Sequence, residues 1–78
     1  MKLLIRNLKR KTTEAELKAM FVAHGTVQSC DLVIDNETGK SKGFGFVEMP
    51  ETGEAEAAMK ILDDTIVAGS KIRVRKSK

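Results

Sequence analysis

The chain has no tryptophan and no tyrosine, and only one cysteine, one proline and one histidine among its 78 residues. Each shortage excludes something. A single cysteine, Cys30, cannot close an internal disulfide. With His24 as the only histidine, no Cys/His cluster has the spacing of a zinc site. The longest apolar run near the N-terminus, Leu3-Leu4-Ile5, is too short for a signal peptide or a membrane span. These absences lead to the expectation of a reduced, cytoplasmic protein with no metal, no cofactor and no membrane attachment. The length allows one domain over residues 1–78, with 76–78 as a basic tail, and only a small core. A two-domain cleft enzyme is excluded.

What is present is charge, unevenly spread. Lysine and arginine number 14 against 11 acids, a net charge of +3. Residues 1–11 carry Lys2, Arg6, Lys9, Arg10 and Lys11 and no acid; residues 71–78 carry Lys71, Arg73, Arg75, Lys76 and Lys78 and no acid. The acids collect mainly at 14–16, 48–56 and 63–64. Basic ends around an acidic middle suggest a surface for a polyanion, although charge alone is equally compatible with ordinary solvation.

The apolar pattern divides the chain into six elements. Residues 2–8 alternate as a strand. Thr13 and Glu16 have the spacing of a capping box, which predicts a helix from Thr13 with Leu17, Met20 and Phe21 on its inner face and a stop at Gly25. Residues 26–34 are rich in β-formers and are followed by the turn cluster 35–39. Residues 43–49 form a third strand, ended by Pro50. Ala55, Ala58, Met59 and Leu62 mark a helix over 52–62. Residues 63–70 read as a connection and 71–75 as a last strand. The order βαββαβ predicts an α+β, ferredoxin-like fold, an antiparallel four-stranded sheet with both helices on one face.

The third strand decides what the open face of that sheet is for. Side chains alternate, so Gly45, Val47 and Met49 share one face and Lys42, Phe44, Phe46 and Glu48 share the other. Burying the second set would bury Lys42 and Glu48 as well, which is costly without partners. The two phenylalanines are therefore expected in solvent, joined there by Lys2, Leu4 and Arg6 of the first strand and Lys71, Arg73 and Arg75 of the last, against Asp31 and Glu48. Exposed rings beside cations suit stacked bases and bound phosphates.

Lys42-Gly43-Phe44-Gly45-Phe46-Val47-Glu48-Met49 matches the octamer signature of the RNA recognition motif at seven of eight positions. Leu3-Leu4-Ile5-Arg6-Asn7-Leu8 resembles that family's hexamer, and the resemblance extends over essentially the whole chain. In its compactness the chain is similar to small stand-alone bacterial members. The resemblance implies a sheet order of 4-1-3-2, with stacking on Phe44, packing of Phe46 against a sugar or a second base, phosphate contact by Lys42 and a mainly structural Asn7. The chain departs from the family pattern in places. Leu4 stands where an aromatic is usual, so one stacking position is missing; Arg6 takes a position that is often small; and Met49 replaces the last aromatic of the octamer with inward parity, which bears on the core.

Other motifs lead nowhere chemical. Gly39-Lys40-Ser41 lacks the first glycine of a P-loop and lies between strands. Asp63 and Asp64 have no third ligand and read as a solvated loop. Cys30 reads as a small core residue. The expected function is thus a non-enzymatic, monomeric module for single-stranded RNA, with single-stranded DNA left open. Its expected contacts are Phe44, Phe46, Lys42, Leu4, Arg6, Lys2, Lys40, Lys71, Arg73, Arg75 and Lys76. The alternative is a protein-interaction domain using the sheet patch or the acidic helix face.

Overall fold

A computed structural model describes residues 1–77; Lys78, the end of the expected basic tail, lies outside them. The chain runs β1 (Lys2–Arg6), α1 (Glu14–Val22), β2 (Ser29–Ile34), β3 (Ser41–Glu48), α2 (Thr52–Leu62), β4 (Ile66–Val67), β5 (Ser70–Lys71) and β6 (Arg73–Ser77). Four strands form one antiparallel sheet in the order β2-β3-β1-β6. This is the expected βαββαβ architecture, with β6 as the fourth strand of the sheet.

Local chemistry sets the boundaries. The Thr13 hydroxyl accepts from the Glu16 amide at 3.2 Å and Glu16 accepts from the Thr13 amide at 3.2 Å, so the capping box starts α1 where its spacing predicts. β1 stops at Arg6 rather than residue 8 because Asn7 takes a left-handed conformation, φ 61°, which asparagine tolerates better than most residues. The α1 exit differs from expectation. His24 and Gly25 donate back to Phe21 and Val22, closing the helix through Ala23, with Gly25 at φ 157° two residues beyond the cap. Gly25 serves instead as a space: a Cβ there would lie 2.7 Å from the Glu54 carboxylate, which accepts from the Thr26 amide.

The connection after α2 is also more ordered than expected. Ile66–Val67 and Ser70–Lys71 form a two-stranded hairpin around Ala68 (φ 51°) and Gly69 (φ 86°). Two successive positive φ values match the tight turn that follows the twist of a hairpin. Ile72 lies between the two sheets with its side chain fully buried, and its N–H and C=O bond to Thr65 and Asp64. The last strand of the main sheet therefore occupies 73–77, not 71–75. Lys76 and Ser77 continue it rather than forming a tail.

The core lies between the sheet and the helices. Leu3 and Ile5 from β1, Val47 and Met49 at β3, and Val74 from β6 meet Leu17 and Phe21 of α1 and Ala55, Ala58 and Leu62 of α2. Gly45 is the point of closest approach. A Cβ there would lie 2.7 Å from the Asp31 carbonyl oxygen and 3.1 Å from Leu17 Cδ2. Gly45→Ala should accordingly destabilise the fold by roughly 1–3 kcal/mol, as overpacking does. Gly53→Ala in α2, where a Cβ meets nothing within 4 Å, should be neutral or stabilise by up to ~1 kcal/mol. Urea unfolding of the two variants against the parent chain checks both signs.

Candidate nucleic-acid interface

The face of the sheet turned away from the helices is built on β1 and β3. Gly45, Val47 and Met49 are buried beneath it, while Phe44 and Phe46 are half-exposed upon it. Their ring centroids are 6.3 Å apart at 85°, an edge-to-face pair that presents two ring faces in different planes. Phe46 is flanked by Leu4 on β1 and Asp31 on β2. The Lys2 ammonium lies 5.0 Å from the Phe46 centroid, so this cation rests on the ring.

The pairing of β1 with β6 joins the two basic ends of the chain. Arg6 stands opposite Arg73, and Leu4 opposite Arg75. These guanidinium groups already have partners: Arg73 is 2.7 Å from Asp64 and Arg75 is 2.7 Å from Asp63. The two acids are thus not a solvated loop. Asp63 also accepts from the Val74 amide at 3.0 Å, and Arg75 donates to the Val74 carbonyl, so both groups that Val74 turns to the open edge are satisfied. The Val74 amide, and then Arg75, hold the Asp63 carboxyl below the ordinary 3.8.

Two clefts flank this arrangement. One of about 430 Å³ lies among Arg6, Asn7, Arg73 and Arg75. Another of about 280 Å³ is lined by Arg6, Asn7, Leu8, Arg10, Lys42, Gly43 and Phe44. The second cleft exists because β3 is irregular. The β2–β3 register shifts between Leu32 and Ile34, Gly43 has φ 85°, and its carbonyl accepts from the Leu8 amide at 2.8 Å. Asn7 supports both clefts: its left-handed backbone turns the chain, and its amide donates to the Lys71 carbonyl at 2.7 Å.

Three of the expected contact residues stand elsewhere. Lys71 belongs to β5, opposite Ile66: the alternation of exposed and buried residues over 71–75 holds, but the ladder with β1 begins only at Arg73. Lys76 is opposite Leu3 and so has the parity of the core face, although it is exposed at the sheet edge. Lys40 is exposed in the turn before β3, where its carbonyl accepts from the Asp35 amide. Conversely, Arg10 lines the cleft beside Phe44 although strand parity did not select it. It belongs to the N-terminal cluster of cations, but only the path of the β1–α1 loop brings it to the ring. Cys30 is half-buried. Burial, and then the charges of Glu14 and Asp31, push its thiol up to about 11, leaving almost no thiolate at neutral pH.

The open face is thus a sheet surface with two aromatic rings at its centre and cations around them. The RNA recognition motif matches residues 3–73, and the chain belongs to that family. RbpD of Nostoc sp., a cyanobacterial protein named for a proposed role in RNA binding, is 42% identical over all 78 residues and 83% of its own length. Among solved structures, the RNA-binding protein PG1 superposes with a TM-score of 0.95 at 35% identity, over 99% of this chain and 93% of that one. The Sxl-lethal protein–RNA complex gives 0.94 at 28% identity, over 99% of this chain and 46% of that one.

Because Asp63 binds its partners as an anion, its stabilising contribution is present above the ordinary carboxylate range and is lost as pH falls through its depressed value. Asp63→Asn should therefore be less stable than the parent near neutrality, with the two converging as pH falls from the ordinary 3.8 through the depressed value. Urea unfolding across that range tests it. A gap that stays constant with pH would show that the carboxylate is not the group responsible.

Proposed function

We propose that the chain is a monomeric binding module, not an enzyme, that takes single-stranded RNA across its four-stranded sheet. The carrying observation is the pair of half-exposed rings, Phe44 and Phe46, at the centre of a face that packs against no other part of the chain. Single strands can splay their bases onto such rings, whereas a duplex keeps its bases stacked inside. Phe44, bordered by Arg6, Arg10 and Lys42, takes one base, and those cations hold the adjoining phosphates. Phe46 takes a sugar or a second base. That step displaces Lys2 from the ring and frees its ammonium for phosphate. Leu4 contributes apolar contact without a π-face, so the platform has two stacking rings rather than three. The RNA complex known for the related Sxl-lethal protein supports the ligand class. Single-stranded DNA is the natural comparison ligand.

Arg73 and Arg75 enter this reading as cations in reserve. A phosphate must compete with Asp64 and Asp63 for them, and exposed pairs of this kind are worth only ~0–1 kcal/mol. The exchange is therefore feasible near the sheet, where several cations act together. Lys40, Lys71 and Lys76 add long-range attraction rather than contacts on the ring-bearing face.

Phe44→Ala combined with Phe46→Ala should weaken binding of a short single-stranded RNA by roughly 1–3 kcal/mol per ring, while the thermal transition survives. Anisotropy titration and calorimetry read the two effects. Retained affinity would point to the protein-interaction alternative. Asp64→Asn keeps a residue suited to the left-handed φ of 64° at that position and releases Arg73. It should tighten binding at low salt and steepen the dependence of log affinity on log salt by about 0.7. An unchanged slope would place Arg73 outside the interface.

A further inference from the structure

A further cleft, of about 670 Å³, is not on the ring-bearing face. It opens between the β1–α1 loop and the β2–β3 turn, on the side of β2 turned toward the helices. Leu32, Ile34 and Thr12 line it together with three cations, Arg10, Lys11 and Lys40. Ile34 is 44% exposed, unusual for so large an apolar side chain on a strand whose neighbour Leu32 packs on the core. Glu14 is the one carboxylate on the lining, and its Oε2 faces the Leu32 amide at 3.4 Å. The cleft thus combines an apolar wall with a predominantly positive border.

Its position relative to Phe44 identifies an occupant. Arg10 lines both this cleft and the cleft beside Phe44. A strand leaving the Phe44 ring past Arg10 arrives here along a border of cations, with Asp35 the acid whose charge interacts with Arg10 and Lys42 on the way. We propose that this cleft is a second nucleotide site. It holds a base of the same RNA strand against Leu32 and Ile34, outside the sheet, with the flanking phosphates among Arg10, Lys11 and Lys40. The proposal rests on the RNA reading above and adds a site that the sheet alone does not provide. It also gives the chain a way to compensate for the stacking position missing at Leu4.

The test compares a trinucleotide, long enough for the two rings, with an octanucleotide of uridines, long enough to reach the cleft. Ile34→Glu places a carboxylate in the cleft, and Lys11→Ala removes a border cation without touching the apolar wall. Ile66→Glu adds the same charge at a distant site that is 67% exposed. Ile34→Glu should weaken the octanucleotide about tenfold, the loss of one base contact, and leave the trinucleotide within about twofold. Lys11→Ala should act in the same direction with a smaller effect, and Ile66→Glu should change neither. In the parent chain, amide shifts at Leu32 and Ile34 should move with the octanucleotide only.

Equal weakening of both lengths, or an equal effect of Ile66→Glu, would reduce the cleft to general electrostatics and overturn the proposal. Silence at Leu32 and Ile34 would do the same. Shifts at those residues that grow with protein concentration without RNA would assign the cleft to a second copy of the chain. If the trinucleotide leaves Phe44 and Phe46 unmoved in the parent chain, the RNA reading of the sheet fails first, and this site falls with it.

Discussion

Leu17 of α1 meets the sheet where Gly45 leaves a gap, 3.1 Å from the place a Cβ would occupy. That contact commits one parity of β3 to the helices. Once Gly45, Val47 and Met49 face the core, Phe44 and Phe46 must face away, because successive strand side chains point to opposite sides. The sheet has only two helices to cover it, both on one side. The rings therefore remain half-exposed in a chain that buries its third phenylalanine, Phe21, completely. An aromatic pair that would be poor placement on an inert surface stands at the centre of the proposed binding face.

The electrostatics follow from strand order. β1 and β6 come from opposite ends of the chain, and their pairing lays Arg6 beside Arg73 and Leu4 beside Arg75. The same pairing makes β6 an edge strand, which needs protection from further pairing. Asp63 at the end of α2 provides it at one stretch of that edge. It both satisfies the edge-strand amide of Val74 and pairs with Arg75, while Asp64 pairs with Arg73. On the same face, Lys2 covers Phe46. Arg6, Arg10 and Lys42 gather at the cleft beside Phe44.

Much of this was legible in the residues because local rules and the global fold agree. The capping box at Thr13 and Glu16 starts α1, and the apolar spacing of α2 predicts 52–62, the range observed. The alternation in β3 identifies both faces of the sheet. The reading failed where a residue answers to two neighbours at once. Ile72 is buried as a strand residue would be and the alternation from Lys71 to Arg75 holds, yet Ile72 belongs to neither sheet, so Lys71 falls in the hairpin rather than on the main sheet. Gly25 looked like a helix stop and is in fact clearance for Glu54. Asp63 and Asp64 looked like an unremarkable loop because their partners lie ten or so residues further along.

The sequence by itself determined the class of fold, the core and the pair of rings left outside it. These depend on short-range periodicity, and periodicity is written in consecutive residues. Only the tertiary structure decided which cations stand beside those rings and which are held by carboxylates. It alone brought Arg10 to Phe44, moved Lys71 into a hairpin, and opened a cleft lined by Leu32 and Ile34 on the far side of the sheet. Charge interacts through space over several ångströms in any direction. Its partners are set by loop paths and strand order, which no local pattern along the chain encodes.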